Sequence, residues 1–322
     1  MRVMLSSCTE EMIAAAAQKL KNGNLVAFPT ETVYGLGADA TNQKAVEKIY
    51  QVKGRPENHP LIVHIANINQ LEKWAVDIKP YAIQLARDFW PGPMTLILKR
   101  SSLAKDFITG GQESVGLRIP AHPVALALLK NFTESGQESG CGVAAPSANR
   151  FGAVSPTSAN AVAEELLPYL NINEDQILDG GPCLVGVEST IIDCRNEQPI
   201  ILRSGAITAE LIAESIGIET SNKSVDEIRV SGSLESHYSP KAKVILDQQP
   251  NSGDGFIALE NISTPEGVIR LASPKTVAEF ARILYASLRE ADARGLTKVV
   301  VQQPEGNGLA VAIRDRLQRA AY

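Results

Sequence analysis

Residues 51 to 65 read QVKGRPENHPLIVHI, and within them the chain changes character twice. They begin as the end of a helical pattern over 42 to 52, pass Gly54, Pro56 and Pro60, and finish in the apolar run Leu61 to Val63 followed by His64. One glycine and two prolines stop the helix and hold the residues between in a loop of restricted conformation. Helix, loop and strand in succession make one α/β step, and four basic side chains, Lys53, Arg55, His59 and His64, sit on it.

The same alternation continues in both directions. NLVAFPT (24–30), LIVHI (61–65), MTLILKR (94–100), SVGLRIP (114–120) and GVAAPS (142–147) have the composition of strands, with helical patterns at 42–52, 80–89, 122–131 and 158–167 between several of them. STIIDC and PIILRSG add two strands, followed by a helix near 208–216. The first residues predict a helix opened by a capping box between Ser7 and Glu10. YGLG at 34–37 is expected to be a turn that needs glycine. Residues 219–243, ETSNKSVDEIRVSGSLESHYSPKAK, are polar and without period, as in a linker. Beyond them KVILD, GFIALE, GVIRLA and KVVVQQ alternate with a helix from Pro274 to about Arg294, striped by Val277, Phe280, Ala281, Leu284 and Leu288, and a last helix near 308–321. The expected organisation is an α/β domain over 1–217, a linker over 218–243, and a smaller three-layer α/β domain over 244–322.

Composition limits the function. With 322 residues, 44% of them apolar, and a net charge of −5, the chain has material for two buried cores and no general affinity for nucleic acid. Cys8, Cys141, Cys183 and Cys194 are far apart and form no C-x-x-C pair, which argues against a zinc knuckle or disulfide framework and fits a reducing cytoplasm. No segment is apolar enough over sufficient length to span a bilayer.

No G-x-x-x-x-G-K-[ST] is present, so a nucleotide triphosphate would have to be held without a P-loop. Lys53 and Arg55 suit phosphate or carboxylate oxygens, though Lys and Arg also favour a solvated helix C-terminus. Arg118 lies inside an apolar strand pattern, where a cation is costly to bury without an anion. Further polar clusters fall at strand ends, where open α/β sheets place their sites: PTETVYGLGAD with Thr32, APSANRFGAVSPT with Ser147 and Asn149, GVEST with Ser189, and LRSGA with Arg203. Such clusters are also ordinary turn chemistry. There is no G-x-S-x-G, and Ser147 is expected to hydrogen-bond rather than attack.

FPTETVYGLGADA, KGRPENHPLIVHI, WPGPMTLIL, VGLRIP, APSANRFGAVSPT, VESTIIDC, ILRSGAIT and SHYSPKAKV occur in that order. The set resembles the long, two-domain form of the threonylcarbamoyl-AMP synthase (YrdC-type) family. The resemblance implies an N-terminal twisted open mixed sheet and a smaller C-terminal Rossmann-like α/β domain. It also implies a nucleotidyltransferase that condenses L-threonine, bicarbonate and ATP, with Mg2+ on the phosphates and no metal site of the protein's own. The products would be pyrophosphate and threonylcarbamoyl-AMP, which separate transfer proteins would use to modify tRNA. Such a reaction needs alignment and positive charge where anionic groups converge, which makes Lys53 and Arg55 the expected catalytic cations. By similarity Thr32, His64, Arg118, Ala145 and Ser189 fall at threonine positions. Arg55, His59, Ser114, Ser147, Asn149, Ser155, Arg203 and Tyr238 fall at nucleotide positions, Tyr238 within an HYSP segment that resembles a lid. His59 and Ser114 depart from the Asn and Thr more frequent there, and TESGQESG (133–140) resembles a surface insertion.

Two other classes compete with this expectation. An RNA-binding module could present Lys53, Arg55, Arg118, Arg150 and Arg203 on a basic concave face. A carbamoyl-adenylate-forming enzyme of hydrogenase maturation shares a related domain, but the missing C-x-x-C pairs speak against it.

Overall fold

The computed structural model describes residues 5–133, 142–221, 228–232 and 238–322. Cys141, His237 and most of the segment 133–140 lie outside the described residues.

The first unit runs β1 (Leu5–Ser7), α1 (Glu10–Lys21), β2 (Val26–Phe28), β3 (Gly35–Asp39), α2 (Gln43–Lys53), β4 (Ile62–His64), α3 (Leu71–Trp74), α4 (Pro80–Phe89) and β5 (Met94–Lys99). It continues through α5 (Asp106–Thr109), β6 (Ser114–Arg118), α6 (Pro123–Thr133), β7 (Val143–Ala144), α7 (Ala159–Leu166), β8 (Gln176–Asp179), β9 (Thr190–Asp193), β10 (Ile200–Arg203) and α8 (Ala209–Ile216). Its strands form one mixed sheet in the order β1-β8-β2-β3-β7-β4-β6-β5-β9-β10. The second unit, β11 (Lys243–Leu246), β12 (Gly255–Ile257), β13 (Ile269–Ala272), α9 (Val277–Ala293), β14 (Lys298–Val301) and α10 (Leu309–Ala321), builds a parallel sheet ordered β11-β14-β12-β13.

Local chemistry sets the boundaries of α2, the helix that delivers the cationic loop. The Asn42 side chain accepts from the Ala45 N–H, and Gly54, at φ 60°, turns the chain out of the last turn. Its buried face is Ala45, Val46, Ile49, Tyr50 and Val52.

Three local expectations change. The first helix starts at Glu10 with Thr9 as its cap, not Ser7, because residues 5–7 pair in parallel with β8. YGLG is not a turn: Gly35–Asp39 is a central strand between β2 and β7. A Cβ at Gly37 would lie 2.8 Å from both the Phe28 ring and Val143 Cγ1, so glycine serves close packing there. In the second unit α9 and α10 pack against each other and against the same sheet face, which gives two layers of regular structure rather than three.

The two units share a core. Val33, Val154 and Val187 of the first join Phe280, Leu284, Tyr285, Ile313 and Leu317 of the second in one buried cluster. At Gly186, φ +81°, the first unit lies directly on the main chain of α9: a Cβ there would stand 2.3 Å from Arg282 Cα and 2.4 Å from the Ala281 carbonyl oxygen. Among the described residues no helix is long and apolar enough to cross a membrane.

Candidate active site

The middle strands of the large sheet end around one cavity, lined by residues of the β2–β3 turn, β4, β6, the segment after β7, the segment before β9, the end of β10 and the linker. Register explains part of this convergence. β4 and β6 are parallel with His64 opposite Arg118, so two polar side chains 54 positions apart in sequence become neighbours at one level of the sheet. Gly35 brings β3 close to the segment after β7, where its Cβ would lie 3.3 Å from the Ala145 methyl.

Three guanidinium groups reach the cavity from different elements. Arg118 donates from Nε to the Gly92 carbonyl at 3.2 Å and from Nη2 to the Glu31 carboxylate at 2.7 Å. Glu31 also accepts from the Ala121 N–H at 2.9 Å, so both of its oxygens are engaged. Arg55 donates to the Pro60 carbonyl at 3.0 Å and to Ser231 Oγ at 3.3 Å, while its buried Nε has no hydrogen-bond partner. Burial lowers its pKa to about 10, so it remains charged at neutral pH. Arg203 donates to the Ser189 carbonyl at 3.0 Å, Ser189 Oγ at 3.1 Å and the Ser231 carbonyl at 2.7 Å.

Neutral donors and acceptors fill the spaces between these cations. Thr30 and Thr32 share a hydroxyl hydrogen bond of 2.8 Å, and Thr30 donates to the Val33 carbonyl, which fixes the turn between β2 and β3. Ser189 Oγ is held at 2.8 Å by Thr95. Burial, with the Arg118 charge adding to it, lowers the His64 imidazole to about 3, and it is neutral under physiological conditions. Tyr238 is fully buried in the wall at φ 63°, a conformation uncommon for a residue with a bulky side chain.

Of the residues expected from sequence, Thr32, Arg55, His64, Arg118, Ala145, Ser147, Ser189, Arg203 and Tyr238 line this cavity. Five others do not. Lys53 is turned toward the main chain, donating to the carbonyls of Ser147 and Asn149, and burial with the nearby Arg55 charge pulls its pKa well below the ordinary lysine range. It frames the Ser147 turn rather than facing an open phosphate site. Asn149 donates its amide to the Arg150 and Ala153 carbonyls at 2.8 Å. Ser155 donates to Glu188 at 2.7 Å from behind the wall. His59 rests edge-on against Phe151, and Ser114 is buried in the β5–β6 ladder opposite Lys99.

Sequence reasoning missed Glu188, Glu31, Thr30, Ser231 and Gly232. Glu188 stood in the quoted GVEST, but its partners lie far along the chain and nothing local marked it. Burial alone would raise its pKa; the guanidinium groups of Arg316 and Arg203, with hydrogen bonds, instead bring it down to about 2. The basic face drawn for RNA is not present as such, because Lys53, Arg55, Arg118 and Arg203 are each at most 8% exposed. Among the described residues no group of three His, Cys, Asp or Glu side chains is placed to hold a metal ion. Glu188, the one carboxylate in the described cavity wall, already accepts from Ser155, Tyr285 and Arg316.

Residues 18–205 match a family model described as "Telomere recombination", and residues 207–322 match one described as "Threonylcarbamoyl-AMP synthase, C-terminal domain". The chain is 40% identical to the threonylcarbamoyl-AMP synthase of Pyrococcus abyssi, over 97% of this chain and 94% of that protein. It is 37% identical to the Bacillus subtilis threonylcarbamoyl-AMP synthase, over 98% and 94% respectively. Its fold superposes on the crystal structure of P. abyssi Sua5 complexed with L-threonine with a TM-score of 0.87 and 38% identity, covering 99% of this chain and 97% of that one.

Proposed function

The chain belongs to the threonylcarbamoyl-AMP synthase family and is an enzyme of it, and from that premise we propose that it makes threonylcarbamoyl-AMP from L-threonine, bicarbonate and ATP, releasing pyrophosphate. The observation that carries this proposal is the convergence of Arg55, Arg118 and Arg203 on one cavity, with Arg55 hydrogen-bonded only to neutral oxygens and Arg203 sharing the charge of Glu188 with Arg316. Buried cations with only neutral partners are costly unless the working state supplies an anion. This reaction brings three: a carboxylate, a carbamate and a triphosphate.

The threonine amine takes up carbon dioxide derived from bicarbonate and loses a proton to become a carbamate. A carbamate oxygen then attacks the α-phosphorus of ATP, and the bond to the β,γ-pyrophosphate breaks. The nucleophile is the substrate itself, so the chain contributes alignment and positive charge rather than a covalent intermediate. Arg118, oriented by Glu31, receives the amino acid carboxylate, with Thr32, Ser189 and the neutral His64 beside it. Arg55 and Arg203 face the phosphates, Lys53 holds the Ser147 turn against them, and Tyr238 covers the nucleotide. Magnesium enters as the counter-ion of ATP and is carried by its phosphates. The product is a mixed anhydride that supplies a threonylcarbamoyl group to tRNA through separate transfer proteins in the cytoplasm.

The test is pyrophosphate release from ATP, magnesium and bicarbonate with L-threonine, L-serine, L-valine or no amino acid. Release that needs both threonine and bicarbonate supports the proposal; folded protein without such release sinks it.

A further inference from the structure

The cavity wall is gripped from behind by the second unit. Glu188 Oε2 accepts from Arg316 Nε at 2.8 Å and from the Tyr285 hydroxyl at 2.9 Å, while Oε1 accepts from Ser155. Two of these three donors come from α10 and α9. Arg316 also donates from Nη2 to the carbonyl of Ser204, the residue after Arg203, at 2.9 Å and from Nη1 to Asp315 at 2.6 Å. Its side chain has no solvent exposure.

The same two residues seat Tyr238. Its ring stacks on that of Tyr285, with centroids 5.6 Å apart and planes at 27°, and the Arg316 guanidinium carbon lies 5.6 Å from its centroid. A tyrosine at positive φ is kept there only by surroundings that over-determine it, and here α9 and α10 supply them. Glu188, Tyr238 and the end of β10 therefore have a common anchor that does not itself line the cavity.

We propose that Arg316 and Tyr285 are positioning residues of the adenylate-forming reaction: the C-terminal unit completes the nucleotide side of the active site by fixing Glu188, Tyr238 and the Arg203 strand end in one network. This proposal rests on the function inferred above. The units are also joined by the shared apolar core, to which Tyr238 and Tyr285 contribute their rings alongside Val33, Val154 and Val187. A buried ion pair is a poor source of net stability, since replacing both partners by apolar groups of similar size is often no less stable, whereas removing one leaves the other charge buried and uncompensated. What it contributes here is one fixed arrangement of three wall groups.

The experiment compares wild type with Tyr285→Phe, which keeps the stacked ring and removes the hydroxyl, and with Arg316→Met and Arg316→Lys. Threonine-dependent pyrophosphate release, the KM for ATP, calorimetric binding of L-threonine alone and the thermal midpoint are measured for each. Since a hydrogen bond to a charged group changes a rate or affinity by roughly ten- to a hundredfold, kcat/KM for ATP is expected to fall about tenfold in Tyr285→Phe and about a hundredfold in Arg316→Met. Arg316→Lys is expected to recover part of that loss, and threonine affinity is expected to stay within about twofold of wild type. Wild-type ATP kinetics in both Tyr285→Phe and Arg316→Met would overturn the proposal. So would losses that track equally in ATP KM, threonine affinity and thermal midpoint, which is the pattern of a merely structural role. A wild-type protein that itself releases no pyrophosphate removes the underlying function and the proposal together.

Discussion

Arg55 shows how much a buried cation reveals when its partners are neutral. Its Nε lacks a hydrogen-bond partner in a setting where burial already weakens its hold on charge, so that nitrogen is available to an anion. Replacing it with alanine is expected to lower kcat/KM for ATP roughly a hundredfold and to move the thermal midpoint by no more than about 3 °C, which steady-state kinetics and calorimetry on one preparation can check. His64 makes a different prediction. Its folded pKa of about 3 lies below the ordinary 6.5, so the unfolded chain binds the extra proton between those values. The stability it contributes is complete above pH 6.5 and is lost as pH falls toward 3. His64→Gln should therefore flatten the decline of unfolding free energy between pH 6 and pH 4, by up to ~1.4 kcal/mol per pH unit, in denaturant titrations at several pH values; an unchanged slope would count against a neutral His64. At this scale the sequence revealed cations in improbable places, such as Arg118 inside an apolar run. It could not reveal Glu188, whose ion-pair partner is 128 positions away, nor that Lys53 points at main-chain carbonyls instead of solvent.

Elements were legible wherever period and punctuation agreed. The stripe of α9 and the Gly54 stop of α2 follow from side-chain spacing and backbone preference alone, while Asn42, counted in the helical pattern, proves to be its cap. β3 was hidden because its glycines mimic a turn, although they answer to neighbours on β2 and β7. Gly37→Ala is accordingly expected to lower stability by about 1–3 kcal/mol through overpacking, since its Cβ meets the Phe28 ring and Val143 at 2.8 Å. A turn glycine away from packed strands would show a smaller effect, so equilibrium denaturation separates the two explanations. β1 and β8 escaped notice for another reason: residues 5–7 read as part of the first helix, and Gln176–Asp179 follows the polar run NINED with only two apolar residues to mark a strand.

For the whole molecule, alternation along the chain was enough to give two α/β units, while their mutual attachment is a product of folding. Val33, Val154 and Val187 look like ordinary core residues of the first unit and belong instead to the core built around α9. Because that core is common, the wild-type protein is expected to unfold in one calorimetric transition. Gly186→Val, which drives a side chain into the Ala281–Arg282 main chain, is expected to split the transition in two and reduce pyrophosphate release; a single unshifted transition would show that the units unfold together for some other reason. The same glycine bears on how such a junction is detected across relatives. Contacts between side chains leave paired substitutions that compensate for one another. A junction made by a bare α-carbon on a helix backbone has no second side chain to change in step, so correlated variation would be silent at Gly186, and chimeras that exchange whole units would have to be judged by fit at that backbone contact.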